Sequence, residues 1–442
     1  MAKKSVALAI LLLMPFAALG QKRPLSLDEA IAQGLEASRF LHASRMRVES
    51  QAARSREIKA GRLPAVRLGG GYARLSEVPP FEVNLPILPN PIVVTQNYFN
   101  NFSLRLGVEQ PLFTGFRLQA GAESARMLEK SAGFDLEKDR AEFIYAVKTS
   151  YWGLKRAREM ERVVAENIRQ IGEHLKDVKA FFEQGLLTKN DVLRVELELS
   201  NAELKRIEAR DAGEVALTSL NSLIGLPLET DIDPTTGAES QASRLAAETG
   251  PDDGATAEAD VAGRPDLRSA DFRIKAAEFS LKVARAGYYP QVYLIGNYYY
   301  LRPNPRIMPA LDRFQGTWDV TFSVSFDLLN WGKTKSLEEQ SKAQLALTQD
   351  ARELLEDQAV LELTQSRLSL ARAKEKVRVA GLAVFQAGEN LRVTREKFKQ
   401  GVALNTEVLD AEMALLQTDL NRTQAEIDLV LAQAKLEKAL GL

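Results

Sequence analysis

Strict alternation of apolar and polar side chains marks four short stretches of this chain. Val66, Leu68, Gly70 and Tyr72 alternate with Ala65, Arg67, Gly69 and Gly71, and Leu104, Leu106 and Val108 alternate with Ser103, Arg105, Gly107 and Glu109. A third stretch opens at Pro290 and carries Val292, Leu294, Gly296 and Tyr298. The fourth is the clearest, with Val320, Phe322, Val324 and Phe326 set against Thr321, Ser323 and Ser325. A period of two gives each stretch one apolar and one polar face, which is the signature of a strand. The pattern predicts strands at about 64–76, 100–112, 290–301 and 318–329.

Around these strands the pattern turns helical. Leu25-Ser26-Leu27-Asp28-Glu29-Ala30 opens a helix that reads on to about Gly61, with Ser26 as its N-cap. From Arg117 to Glu183 there is no proline and glycine occurs only at 121, 133, 153 and 172. As one helix this stretch would reach about 100 Å, far beyond the globular norm. Its Glu, Lys, Arg, Ala and Leu content suits coiled-coil packing with a solvated outer face. Gly185 breaks it, Thr188 or Asn190 can cap a new helix, and that helix returns to about Leu226.

The whole arrangement is written twice. An offset of 216 carries Gln184-Gly185-Leu186-Leu187-Thr188-Lys189-Asn190-Asp191-Val192-Leu193 onto Gln400-Gly401-Val402-Ala403-Leu404-Asn405-Thr406-Glu407-Val408-Leu409, and Gly225-Leu226 onto Gly441-Leu442. Upstream, an offset of 226 carries Pro64, Val66 and Tyr72 onto Pro290, Val292 and Tyr298. This is too long a period for a solenoid. It reads as two equivalent halves, 21–228 and 264–442, each a helix, two strands and a long helical hairpin. Residues 229–263, rich in turn chemistry such as Asp233-Pro234 and Pro251-Asp252-Asp253-Gly254, read as a linker outside the helical layer.

Composition narrows the class. A net charge of -1 with 26% charged residues of mixed sign gives no basic footprint for nucleic acid. Residues 1–20, with Lys3 and Lys4 before an apolar run and Ala18-Leu19-Gly20 before Gln21, read as a secretory signal peptide. No other run of about 18 apolar residues exists. Cysteine is absent, which removes disulfides, thiol nucleophiles and cysteine metal sites. An exported chain of this kind is either soluble in the periplasm or part of an outer-membrane barrel. Eighteen of the 31 aromatic residues fall in 64–116 and 288–331, as girdles at membrane interfaces would. Four strands cannot close a barrel, and lipid does not tolerate their free edges. If the strands do span a membrane, several chains must each contribute a pair of strands to one common barrel; the other reading of the same pattern is a soluble sheet with an aromatic core.

The sequence resembles the TolC-type outer membrane efflux proteins (outer membrane factors) along its mature length. The resemblance rests on Leu25-Ser26-Leu27-Asp28-Glu29-Ala30-Ile31, on Pro64 and Pro290, and on Gln110-Pro111-Leu112-Phe113-Thr114-Gly115-Phe116-Arg117 with its echo Asp327-Leu328-Leu329-Asn330-Trp331-Gly332-Lys333. The doubled Gly-x-x-[Thr/Asn]-x-x-[Asp/Glu]-Val-Leu breaks complete it. The resemblance implies a mixed α/β membrane protein: a homotrimer with a 12-stranded barrel in the outer membrane and a 12-helix tunnel crossing the periplasm. It implies a passive exit duct of a tripartite efflux or type I secretion system. The partners would be a periplasmic membrane-fusion (adaptor) protein and an inner-membrane pump of RND or ABC type.

The resemblance also assigns sites. Gly185-Leu186-Leu187-Thr188 and Gly401-Val402-Ala403-Leu404 would be adaptor-docking tips, the second departing from the family pattern at Ala403 and Leu404. As local structure, both glycines read equally as helix C-caps. Glu407 and Asp410, spaced i, i+3 on one face, match the acidic residues of the family's periplasmic aperture. The first half has Asp191 and Arg194 there. A competing reading is that Glu407 complements the helix dipole after an Asn405 cap. His42 and His174 read as surface or packing residues. Gly332-Lys333-Thr334 is not a phosphate loop, since Asp327 stands where the first glycine belongs. No constellation of residue types supports an enzyme, a metal site or a cofactor. The other class left open is a periplasmic coiled-coil scaffold without a pore.

Overall fold

The computed structural model describes residues 23–79, 97–247 and 260–442, with a few positions between 81 and 93. The leader expected at 1–20 lies outside the described residues. The elements run β1 (Arg23–Leu25), α1 (Leu27–Ala37), α2 (Arg39–Ala60), β2 (Ala65–Arg74), β3 (Glu82–Val83), β4 (Ile92–Val93), β5 (Asn100–Thr114), α3 (Arg117–Glu183) and α4 (Lys189–Ile224). Then come β6 (Ile232–Pro234), α5 (Ala238–Ala247), α6 (Pro265–Arg285), a 3-10 turn (Ala286–Tyr288), β7 (Gln291–Arg302), β8 (Gln315–Ser325), α7 (Lys333–Lys399) and α8 (Asn405–Ala439).

Four strands form one antiparallel sheet in the order β2-β5-β7-β8. The register lines up the apolar positions: Leu68 faces Leu106, Leu106 faces Tyr298, and Tyr298 faces Trp318. That apolar face is uncovered. Leu68 is 70%, Trp318 72% and Phe322 64% exposed. The opposite face is polar and internally bonded, with Arg67 on Glu109 at 3.0 Å and Arg105 on Asn297 at 2.7 Å. No strand among the described residues pairs with the outer edge of β2 or of β8. Burying each large apolar side chain would gain about 1.5–3 kcal/mol, so a sheet that leaves a whole face open belongs in an apolar medium.

All four strands join long helices at the same end of the sheet. α3 and α7 are each 67 residues long and start 216 residues apart. Both begin after two consecutive left-handed residues, Gly115 and Phe116 in one half, Trp331 and Gly332 in the other. The glycine at 115 is steric as well, because a Cβ there would sit 2.6 Å from the Ala286 carbonyl oxygen.

Near the sheet, α3 packs on α2 and α6, and α7 packs on α6. Ser131 and Ser269 hydroxyls at 2.8 Å mark the close α3–α6 approach. Farther away, α3 packs on α4 and α8, and α8 packs on α7. α4 and α7 are thus the flanks of the layer. Both carry exposed leucines at helical repeats: Leu193, Leu197 and Leu204 on α4, and Leu347, Leu354, Leu361 and Leu368 on α7. No helix among the described residues is long and apolar enough to cross a membrane.

Two expectations change. The segment 25–61 is two helices, because Ser38 adopts ψ 117 and turns its hydroxyl to accept the Leu41 N–H. The stretch read as a linker carries β6 and α5. β6 pairs in parallel with β1, and Ala238, Ala242 and Leu245 of α5 join the core around Tyr151, Trp152 and Ile427. The Tyr151 hydroxyl ties the pieces together, donating to the Leu25 carbonyl at 2.9 Å and accepting the Thr236 N–H at 3.0 Å. Residues 248–259 lie outside the described residues.

Candidate functional site

The ends of the helical hairpins farthest from the sheet bring the singled-out residues together. At the first tip Gly185 takes φ 74, and its N–H and that of Leu186 return to the Phe182 and Phe181 carbonyls, both at 2.9 Å. This is the glycine-terminated helix end that only a residue without Cβ adopts at little cost. Thr188 then caps α4 reciprocally. Its hydroxyl accepts the Asp191 N–H at 3.3 Å, while Asp191 Oδ2 accepts the Thr188 N–H at 3.0 Å and its hydroxyl at 2.5 Å. The Thr188 hydroxyl holds the Asp191 carboxyl below the usual aspartate range, with the Thr188 N–H and the Asn405 amide adding to it.

The second tip repeats the turn with a different cap. Gly401 takes φ 73, and the N–H groups of Gly401 and Val402 bond the Phe398 and Lys397 carbonyls at 2.9 Å. Leu404 occupies the cap position and has no acceptor to offer. Only the return bond survives: Glu407 Oε2 accepts the Leu404 N–H at 3.1 Å. The expectation of an Asn405 cap is therefore corrected. Asn405 is the first helical residue and is buried, with its side chain turned inward.

Leu186, Val402 and Leu404 stand exposed at the tips, while Leu187 and Ala403 pack onto the cluster of Ile171, Val178, Phe398 and Val408. Between the two tips runs a cleft of about 750 Å³, lined by Phe181, Leu187, Arg194, Phe398, Ala403 and Leu404. Glu407 and Asp410 lie one turn apart on α8, Glu407 held by its bond to the Leu404 N–H and Asp410 exposed.

Two features of the site are set by tertiary packing. His174 is 4% exposed and its Nε2 lies 2.7 Å from Asn405 Oδ1, while Asn405 Nδ2 donates to the Asp191 carbonyl at 3.2 Å. One amide thus joins α3, α4 and α8. Farther from the tips, Lys179–Glu196 at 2.8 Å and Arg395–Glu412 at 2.6 Å occupy equivalent positions across each hairpin. The first pair is exposed, but Glu412 is 1% exposed. Removing Arg395 would leave that buried carboxylate without its partner, which is costly.

Elsewhere His42 is exposed, and Gly332-Lys333-Thr334 is the corner that starts α7, with Thr334 Oγ1 accepting from the Asn330 amide at 2.7 Å. Among the described residues no cluster of His, Asp or Glu could hold a metal ion.

Comparison with known proteins gives this geometry a context. The chain is 29% identical over 348 residues to the alkaline protease secretion protein AprF of Pseudomonas aeruginosa, covering 76% of this chain and 66% of that one. It is 23% identical over 354 residues to the outer membrane efflux protein BepC of Brucella suis, covering 78% and 73%. The crystal structure of the outer membrane protein VceC from Vibrio cholerae superimposes with a TM-score of 0.78 at 16% identity, over 94% of this chain and 96% of that one. The sequence profile described as outer membrane efflux protein matches residues 30–226 and 259–442. The chain belongs to the outer membrane efflux protein family, with its sheet in the outer membrane and its helices in the periplasm.

Proposed function

We propose that three copies assemble into one channel-tunnel, a passive exit duct that a periplasmic adaptor couples to an inner-membrane pump. The observation that carries this reading is the four-stranded sheet, apolar on one face and open at both edges. In lipid every backbone group must be paired, so the edges of β2 and β8 must meet those of other copies. Three sheets give twelve strands, an even number within the range of known barrels. The exposed leucines of α4 and α7, the flanks of the helical layer, supply the matching seam between copies. A coiled-coil scaffold in water is the poorer reading, because it leaves Leu68, Trp318 and Phe322 uncovered.

In this reading Glu407 and Asp410 ring the periplasmic aperture, six carboxylates in the trimer, favouring cations and repelling anions. The tips Gly185-Leu186-Leu187-Thr188 and Gly401-Val402-Ala403-Leu404 dock a membrane-fusion adaptor, their exposed leucine and valine side chains and the cleft between them offering apolar contact. The pump behind the adaptor is of RND or ABC type. One relative is a protease secretion protein and another an efflux protein, which supports both kinds of traffic. Planar-bilayer recording tests the duct and its aperture together. The protein should form cation-preferring pores, and Glu407→Ala with Asp410→Ala should reduce that preference. No pore at all would sink the duct, and unchanged selectivity would sink the acidic ring.

A further inference from the structure

The connection from β7 to β8, residues 303–314, sits at the end of the sheet opposite the helices and is pinned. Asn304 is 0% exposed; its amide donates to the Gln315 carbonyl at 3.0 Å and to Thr317 Oγ1 at 3.2 Å, and its Oδ1 accepts the Arg306 N–H at 3.0 Å. Arg306 Nη2 then reaches Asp319 Oδ2 at 2.7 Å, and its guanidinium lies 4.6 Å from the centre of the Tyr299 ring. Arg105 approaches the same ring to 5.5 Å. A chain of bonds closes the group: Arg105 to Asn297 at 2.7 Å and Asn297 Nδ2 to Asp319 Oδ1 at 2.9 Å.

The register decides which way this segment folds. Arg105 faces Tyr299 and Tyr299 faces Thr317, while Asn297 faces Asp319. All of them belong to the polar face, the one that becomes the lumen when the sheet closes into a barrel. The first half of the connection therefore lies inside the mouth. Its second half returns outside, where Phe314 stacks on Tyr300 at 5.1 Å on the apolar face.

We propose that residues 303–309 form a strap across the outer mouth of the barrel, hinged at Asn304 and latched by Arg306 on Asp319, that restricts bulky cargo. The inference rests on the barrel reading. A twelve-stranded barrel at the usual spacing and tilt is about 24 Å across between backbones, and three inward-folded straps, one against each copy's wall, narrow that opening. Asn304 is buried and bonded through both of its side-chain polar atoms, so the hinge holds. The Arg306–Asp319 pair is partly open to water, 46% at the guanidinium and 26% at the carboxylate. A pair of that kind holds by about 0.2–1 kcal/mol, which makes it a latch that cargo can release.

The absence of cysteine allows a clean test in intact cells. Ser323→Cys places one thiol on the lumen face below the strap, to be labelled from outside with a small maleimide or a polyethylene-glycol maleimide. The small reagent should label Ser323→Cys equally with and without Arg306→Ala. The bulky reagent should react up to about fivefold faster once Arg306→Ala removes the latch, and Asp319→Asn should do the same. Equal bulky labelling with and without the latch overturns the strap. Failure of the small reagent in every variant would overturn the lumen assignment, and the barrel with it.

Discussion

His174 Nε2 lies 2.7 Å from Asn405 Oδ1, a buried bond between two helical hairpins whose residues are 231 positions apart. The amide nitrogen of Asn405 is committed to the Asp191 carbonyl, so its oxygen accepts and the imidazole Nε2 donates. Both side chains are buried, and removing either strands the other. His174→Ala and Asn405→Ala should each destabilise the tip by about 1–3 kcal/mol, and the double variant should cost much less than the sum. Hydrogen exchange at 185–192 and 401–409 measures this. Additive effects would mean that the bond does not join the hairpins.

Two glycines separate backbone strain from steric clash. Gly401 takes φ 73, and a Cβ added there would meet nothing within 4 Å, so Gly401→Ala should cost only the left-handed conformation, about 1–2 kcal/mol. Gly115 takes φ 59, and a Cβ there meets the Ala286 carbonyl oxygen at 2.6 Å and Tyr289 Cβ at 2.8 Å. Gly115→Ala should cost about 1–3 kcal/mol more. Thermal unfolding ranks the two, and a Gly401→Ala loss as large as that of Gly115→Ala would contradict the corner described between β5 and α3.

Acid should act in opposite directions on the two levels of the helical layer. Burial pushes the Glu426 carboxyl up, against the pull of Arg422, and burial raises Asp419 as well, against Arg422 and Arg162. Glu239 and Glu159 add to the rise at Glu426. Raised groups bind their protons more tightly when folded. Their stabilisation is full below the unfolded range, about pH 4, and is lost as pH rises through the folded value. Asp191 is lowered, so its contribution is present above about pH 4 and is lost as pH falls through its folded value. Lowering the pH from 7 toward 4 should protect 419–426 against exchange, and a further drop should loosen 188–191. Movement of both segments in the same direction would contradict these environments.

The sheet and the long helices were legible because local periodicity sets them. Val320, Phe322 and Val324 alternate whatever else the chain does, and Gly185 and Gly401 break helices through their own backbone freedom. β8 nevertheless starts at Gln315, earlier than the alternation shows, because Gln315-Gly316-Thr317 gains its strand form by pairing with β7. It ends at Ser325, before the corner at Trp331 and Gly332. β6 had no local signal, since a three-residue strand holds only by lying against β1, where Arg23 pairs with Ile232. α5 did carry one, Ala238, Ala242 and Leu245 at helical spacing, but the turn residues on either side of it hid so short a helix. The tips divide in the same way. Their turns could be read from glycine and threonine, but the burial of His174, Asn405 and Glu412 depends on helices brought together from both halves.

In the proposed duct the open edges of β2 and β8 close against other copies. Native mass spectrometry of the detergent-extracted outer-membrane particle tests it most directly. The expected mass is about 140–147 kDa, three copies of a chain whose full length weighs 48.9 kDa. A single chain released without detergent would mean that the exposed apolar face never meets lipid, and the duct would have to be abandoned.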